Sequence, residues 1–327
     1  MAWQGLSPSG DFRPVSSPGS SNVPSVVSGW YERAAADPAR VVLADLGDPR
    51  ADFAAIQLVD EELVQPVHPI VDRGDGQQAE AIARAEDAGL DVSDPIVAAT
   101  VLVRSGAADA AVAGATRSTA DVLRAGLKVL GVAPGVEVVS SCFLMVLADG
   151  RPVAYGDCGV VPDPDVSQLA TIASSTADTW TGLAGPVSGG GSPRVAMLSF
   201  STKGSAEHPR VDKVRAATAL VADRRPDLTV DGELQFDAAM VPSVAAVKAP
   251  GSPVAGAADV FVFPDLDSGN IAYKVTERLG GARAYGPLLQ GLDGILHDLS
   301  RGCSAADIVD VAVIAGLQAR SSGAIGT

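Results

Sequence analysis

Arg194-Val195-Ala196-Met197-Leu198-Ser199-Phe200 runs into Ser201-Thr202-Lys203-Gly204-Ser205, and from Pro209 to about Ala222 a helical pattern follows. A short aliphatic run, a loop bearing Gly and a helix opening on Pro together spell a strand-loop-helix unit. Weaker versions of the unit recur along the chain. Val26 to Ala36 is amphipathic and leads into a strand over Arg40 to Ala44. A second strand, Ala107 to Gly114, precedes Ser118-Thr119-Ala120-Asp121, which caps a helix through Leu130 with Val122, Leu123, Leu127 and Leu130 on one face. Val136 to Leu147 reads as a strand leading out of a first domain, and Pro162-Asp163-Pro164-Asp165 breaks the chain before a helix over Val166 to Ala177. Gly185 to Pro193 has the composition of a linker but reads as a loop, because a strand follows at once. Val260-Phe261-Val262-Phe263, ended by Pro264, is a buried strand, and Asn270 to Leu279 a helix. Such alternation predicts an α/β protein without internal repeats.

Composition narrows the functional classes. A chain of 327 residues that is 47% hydrophobic and 19% charged can bury the core of one large or two medium domains. Its net charge of −15 argues against nucleic acid and anionic membrane as partners, so an anionic ligand needs a local cluster of Arg and Lys. Cys142, Cys158 and Cys303 are odd in number and widely spaced, which suggests neither a disulfide framework nor a metal site. Met1 to Pro24, rich in Ser, Pro and Gly, reads as a flexible lead-in rather than a signal peptide, and no apolar run is long enough to span a bilayer. A cytoplasmic location is the expectation.

Three stretches could carry chemistry. Ser201 and Thr202 lie in a loop between a buried strand and a helix N-terminus, an arrangement suited to anions, although the Gly and Lys spacing is not that of a Walker loop; an ordinary capped turn fits equally. In Asp265-Leu266-Asp267-Ser268-Gly269-Asn270-Ile271-Ala272-Tyr273-Lys274, a helix would put Asn270 and Lys274 on one face, with Lys274 able to serve phosphate; helix capping by the acidic residues is the plain alternative. The third is Asp298-Leu299-Ser300-Arg301-Gly302-Cys303-Ser304, followed by Asp307 and the apolar run Ile308 to Leu317. Ser304 is a plausible N-cap and Asp307 falls in the first turn. Ser300, Arg301 and Asp307 could hold a phosphate beside a base, or merely close a helix cap with salt bridges. His68, His208 and His297 are too dispersed for a catalytic or metal set.

Met197 to Ala206, Asp231 to Ala239, Lys248-Ala249-Pro250-Gly251-Ser252, Phe263-Pro264-Asp265-Leu266, Gly269 to Lys274 and Gly286-Pro287 to Gln290-Gly291, together with the Asp298 stretch, resemble the phosphate acetyltransferase (phosphate acetyl/butyryl transferase) family. These matches cover about Asp109 to Ala319 in one consistent order. The resemblance implies two α/β domains with the active site in the cleft between them, a shape similar to isocitrate/isopropylmalate dehydrogenases. Expected bounds are a lead-in over 1–25, a first domain over 26–147 plus 301–327, and a second over 148–300. It also implies reversible acyl transfer between CoA and inorganic phosphate, with CoA and acyl phosphate as substrates, no permanently bound cofactor, no metal and a homodimer. By motif, Asp307 would take the CoA thiol proton, Ser300 would hydrogen-bond near the reacting centre and Arg301 would hold the phosphoryl group. Ser118, Thr119, Arg124, Ser201, Thr202, Asn270, Lys274 and Tyr285 would serve substrate or CoA binding.

Two places depart from the family pattern. Where members usually carry an Arg-Lys-x-Lys-Gly motif, Gly76 to Pro95 is shorter and acidic and offers only Arg84. Before Asp298, Gly294-Ile295-Leu296-His297 stands in place of Lys-Pro-Val-Asn. The alternatives are an altered or inactive member that binds CoA or acyl phosphate, or one using another acyl group or thiol acceptor. A dehydrogenase on the same two-domain shape lacks support, since there is no dinucleotide Gly fingerprint.

Overall fold

A computed structural model of the chain describes residues 25–187 and 191–323. Most of the expected lead-in therefore lies outside the described residues. Ten strands form two sheets. The smaller holds β1 (Ala39–Leu43), β2 (Val64–Val67), β3 (Ala110–Ala113) and β10 (Ile295–Asp298) in the order β10-β3-β1-β2, all parallel. The larger contains β4 (Ser140–Val146), β5 (Pro152–Gly156), β6 (Arg194–Leu198), β7 (Thr229–Leu234), β8 (Val260–Val262) and β9 (Arg283–Gln290), ordered β7-β6-β8-β5-β4-β9. Its β7-β6-β8-β5 half is parallel, while β4 pairs antiparallel with both β5 and β9.

The strand-loop-helix unit appears as read. β6 is buried along Val195 to Leu198, and the helix Pro209–Arg224 starts with Pro at its first turn, where a missing N–H costs nothing. Two strands join sheets other than those the expected domain bounds would give them. β4 belongs wholly to the larger sheet, because all seven of its residues are buried between β5 and β9. β10 returns to the smaller sheet beside β3, pairing Ile295 with Ala110 and Asp298 with Ala113. The chain thus crosses between β9 and β10, before the Ser300 loop rather than within it.

The apolar run after Asp307 becomes the helix Ala305–Gly323. Ile308, Val309, Val311 to Ala315 and Leu317 are all buried, as a helix that is apolar on most sides must be. It packs on β1 and β3, on the helices Ser25–Ala36 and Pro49–Asp60, and on the helix Val166–Leu183 of the larger sheet. One continuous apolar core therefore runs from Val41 and Leu43 through Val309 and Val313 to Leu169 and Ile172. Burial of this kind contributes about 25 cal/mol per Å², and it holds the two sheets together across the cleft between them.

The loop after β6 is fixed by one carboxylate. Glu233, at the end of β7, accepts from Ser201 Oγ at 2.9 Å, from the Gly204 N–H at 2.9 Å and from Arg215 Nε at 2.8 Å. Burial pushes its carboxyl up, but these donors outweigh burial and hold it at about 2. A carboxylate depressed on folding stabilises above its unfolded pKa and loses that contribution as pH falls toward the folded value. Glu233→Gln is expected to cost about 2 kcal/mol at neutral pH, allowing for solvent at the half-exposed Arg215, and to flatten the loss of stability below pH about 4.5. Urea unfolding across that range measures it.

Candidate active site

Between the sheets lies a cleft of about 300 Å³. The smaller sheet's side supplies Thr119, Asp298, Leu299, Ser300, Gly302, Cys303 and Asp307; the larger supplies Phe143, Cys158, Asn270, Tyr273 and Tyr285. The Asp298 to Asp307 stretch is thus both a helix cap and a cleft wall. Ser304 N and Oγ donate to Asp307 Oδ2 at 2.8 and 2.9 Å, and Asp307 N donates to Ser304 Oγ at 3.2 Å, a reciprocal capping box. Asp307 Oδ1 has no hydrogen-bond partner among the described residues. Ser300 Oγ accepts from the Gly302 N–H at 3.2 Å, which bends the loop over the cleft. Arg301 is exposed beside it, and among the described residues its guanidinium has neither an ion pair nor a hydrogen bond.

A residue that no sequence pattern marked holds this loop. Arg50 donates through Nη1 to the carbonyls of Arg301 (2.9 Å) and Cys303 (3.0 Å), through Nη2 to Ala115 O at 2.9 Å, and through Nε to Asp48 at 2.9 Å. The rigid fork of a guanidinium can tie three carbonyls of two backbone segments and a carboxylate at once, which an ammonium cannot. The only local signal is Asp48-Pro49-Arg50 opening a helix, with Asp48 as its N-cap.

Asn270 reaches the cleft from the helix Leu266–Arg278 and donates to Cys158 O at 3.0 Å. Lys274, on the same helix, does not line the cleft; its ammonium sits 5.5 Å from the ring centroid of Tyr273, whose ring stacks on Phe143 at 4.0 Å. Tyr285 lines the cleft between the edge of Trp30 and the Arg283 guanidinium, and its hydroxyl is buried without a partner. Burial and the neighbouring Asp310 raise its pKa. Asp310, one turn beyond Asp307, is itself pushed up to about 6 by burial, although Arg283 at 3.2 Å and Tyr31 at 2.9 Å both favour the charged form.

Thr119 is at the cleft floor, while Ser118 next to it caps the helix Thr119–Ala125 with Asp121. Arg124 lies elsewhere, in a hollow of about 140 Å³ with Asp91, Asp94 and Arg117, and pairs with Asp121 at 2.9 Å. Ser201 and Thr202 are also outside the cleft, bonded to Glu233 and Gln235. Arg84 donates to Lys128 O at 3.0 Å and does not line the cleft.

The remaining titratable groups explain what the site does not do. Burial pushes the Cys303 thiol up to about 11, partly countered by Arg50, so it packs the wall as a neutral thiol rather than competing as a nucleophile. His297 is fully buried and held down at about 4. It accepts from the Leu289 N–H at Nδ1 and contacts Gln318 through Nε2, a neutral strut between β9 and the returning helix. Among the described residues no group of His, Cys, Asp and Glu could hold a metal ion.

Comparison with known proteins agrees with this architecture. Residues 77–316 match the family model described as phosphate acetyl/butaryl transferase. A phosphate acetyltransferase of Acetivibrio thermocellus is 50% identical over 234 residues, 70% of this chain and 69% of the relative. One from Paracoccus denitrificans is 49% identical over 241 residues, 72% of this chain and 74% of its own. The crystal structure of a phosphotransacetylase from Streptococcus pyogenes superposes with a TM-score of 0.83 at 39% identity, covering 91% of this chain and 98% of that one. The chain belongs to the phosphate acetyl/butaryl transferase family.

Proposed function

We propose that this protein is an acyltransferase that moves an acetyl, or a related short acyl, group reversibly between CoA and inorganic phosphate. The observation that carries the reading is the meeting of Ser300 and Asp307 in one cleft, with the unpaired Arg301 between them in the chain, in a member of this family. An acyl phosphate is already activated, so the enzyme needs to position a thiolate and neutralise the leaving phosphate. In the direction of acyl-CoA formation, Asp307 Oδ1 takes the CoA thiol proton and the sulfur attacks the acyl carbon. A C–S bond forms as the bond from acyl carbon to phosphate oxygen breaks, and phosphate leaves with the electron pair. Arg301 receives it as a bidentate donor while the Ser300 hydroxyl donates at the reacting centre. The capping box leaves Asp307 Oδ1 available, because Ser304 occupies only Oδ2.

CoA is a substrate here and no resident cofactor takes part. Asn270 and Tyr285 would contact the CoA chain from the larger sheet, whereas Lys274, Ser118, Arg124, Ser201 and Thr202 do not line the cleft. We take the first domain as the β1, β2, β3 and β10 layer with the returning helix, and the second as the six-stranded layer. A homodimer in the cytoplasm is the proposed state: closed twofold dimers are the commonest oligomers, and no helix among the described residues is long and apolar enough to cross a membrane. A panel of acyl-CoA thioesters assayed with phosphate tests the function. The highest kcat/KM is expected for acetyl or a near homologue, since each misfitted methylene is worth about 1–3 kcal/mol; no turnover with any thioester would refute it.

A further inference from the structure

The cleft floor carries a carboxylate that the steps above leave unused. Asp298 closes β10, is 1% exposed and lines the cleft. Its Oδ2 accepts from Thr119 Oγ1 at 2.5 Å, while its Oδ1 is buried without a partner. Gly114, at φ +110°, lies against that oxygen; a Cβ there would come within 2.3 Å of Oδ1 and 2.9 Å of the Leu299 backbone, so the carboxylate is walled in and fixed. An ionised carboxylate only accepts, and a hydroxyl has one proton and two lone pairs. Thr119 spends its proton on Asp298, so its oxygen offers the cleft lone pairs alone.

We propose that Asp298 is a positioning residue that holds Thr119 as a hydrogen-bond acceptor, so that the cleft takes the monohydrogen form of a phosphate group, whose P–OH donates to Thr119, and disfavours tetrahedral anions with no proton to give. The inference rests on the phosphate reading of the cleft. Arg301 and Ser300 supply donors for the bare oxygens, and Thr119 supplies the one acceptor. A site built to bond a substrate hydroxyl rejects analogues lacking it by large factors, because its own polar group is left unpaired.

Burial pushes Asp298 up to about 6, with Asp45 adding to it against the pull of Thr119 and the Leu299 N–H. Few other charges face it. Asp45 is bonded to Ala115 N, Thr116 N and Thr116 Oγ1; Asp121 and Arg124, on the helix of Thr119, pair with one another; β3 brings only apolar side chains; His297 is neutral; and Asp307 stands across the cleft wall. Below pH about 6 Asp298 takes a proton, Thr119 regains freedom to donate, and selectivity falls.

Calorimetric titration of wild type, Asp298→Asn, Thr119→Ser and Thr119→Val with inorganic phosphate and with sulfate tests this, after circular dichroism has checked folding. Wild type is expected to prefer phosphate by at least about tenfold, and more weakly below pH about 6. Asp298→Asn should cut the phosphate-to-sulfate ratio about tenfold, chiefly by tightening sulfate. Thr119→Ser should keep the wild-type ratio, Thr119→Val should lose it, and Asp298→Asn added to Thr119→Val should change nothing more. An unchanged ratio in folded Asp298→Asn overturns the inference; should that variant not fold, a wild-type ratio in Thr119→Val does so. Binding of neither anion to wild type, with no acyl transfer, overturns the functional reading as well, whereas binding and turnover with an unaltered ratio overturn the inference alone.

Discussion

Replacing Arg301 with Ala is expected to lower kcat/KM for phosphate-dependent acyl transfer by a factor of about 10² to 10³. The guanidinium makes no ion pair or hydrogen bond among the described residues, so its removal breaks no internal contact and the melting temperature should hold. What would go is the cation proposed to receive the leaving phosphate. In a protein of net charge −15, few other groups can replace it there. Arg301→Lys separates charge from geometry: a Lys keeps the charge but not the planar fork, and about a tenfold loss is expected. The deficit should appear mainly in the KM for phosphate when the reaction runs from acyl-CoA. Equal activity of the Ala variant and wild type, by steady-state kinetics, would remove Arg301 from the site.

Asp307→Asn carries the second large effect, a drop in kcat of about 10² to 10⁴. Asn keeps a carbonyl oxygen in the place of Oδ2, so it can still accept from Ser304 N and Oγ, and the helix Ala305–Gly323 keeps its cap. What it lacks is a base at Oδ1. Ser304→Ala gives the converse, a loss of about 1 kcal/mol of stability with a smaller effect on kcat. The two readings of this stretch, cap and catalytic wall, then separate in one pair of variants. Thermal melts and kcat on both proteins supply the comparison.

Local pattern carried the sequence reading as far as local pattern reaches. β6 and its helix were legible because Val195 to Leu198 is uninterrupted and Pro209 marks a first turn. Ser118 and Ser304 were legible as caps because each stands just ahead of an apolar helical run, whereas the capping role of Asp165 appears only in the structure. β10 was not: four residues have no period of their own, and their sheet is decided by β3, about 185 residues earlier. The Gly126–Leu130 segment widens from α to π-helical geometry, which the apolar stripe through Leu130 does not betray. The Ser300, Arg301 and Asp307 cluster was visible as residue types, but cap and cleft wall look alike in sequence because the same Asp307 closes the cap with Ser304 and lines the cleft. Arg50 escaped notice, and Asp298 was named only as the start of its stretch, because their importance is tertiary. Arg50 meets a loop 251 positions away, and Asp298 matters through burial against Thr119 and Gly114. Arg124 shows the reverse, a residue suggested by motif that lies with Asp121 outside the main cleft.

If this cleft exchanges an acyl group between CoA and phosphate, both products can be followed in one reaction. Purified protein incubated with acetyl-CoA and phosphate should release free CoA thiol and acetyl phosphate mole for mole, with no thiol released when phosphate is omitted. Thiol release that proceeds without phosphate, or that leaves no acetyl phosphate, would contradict the account.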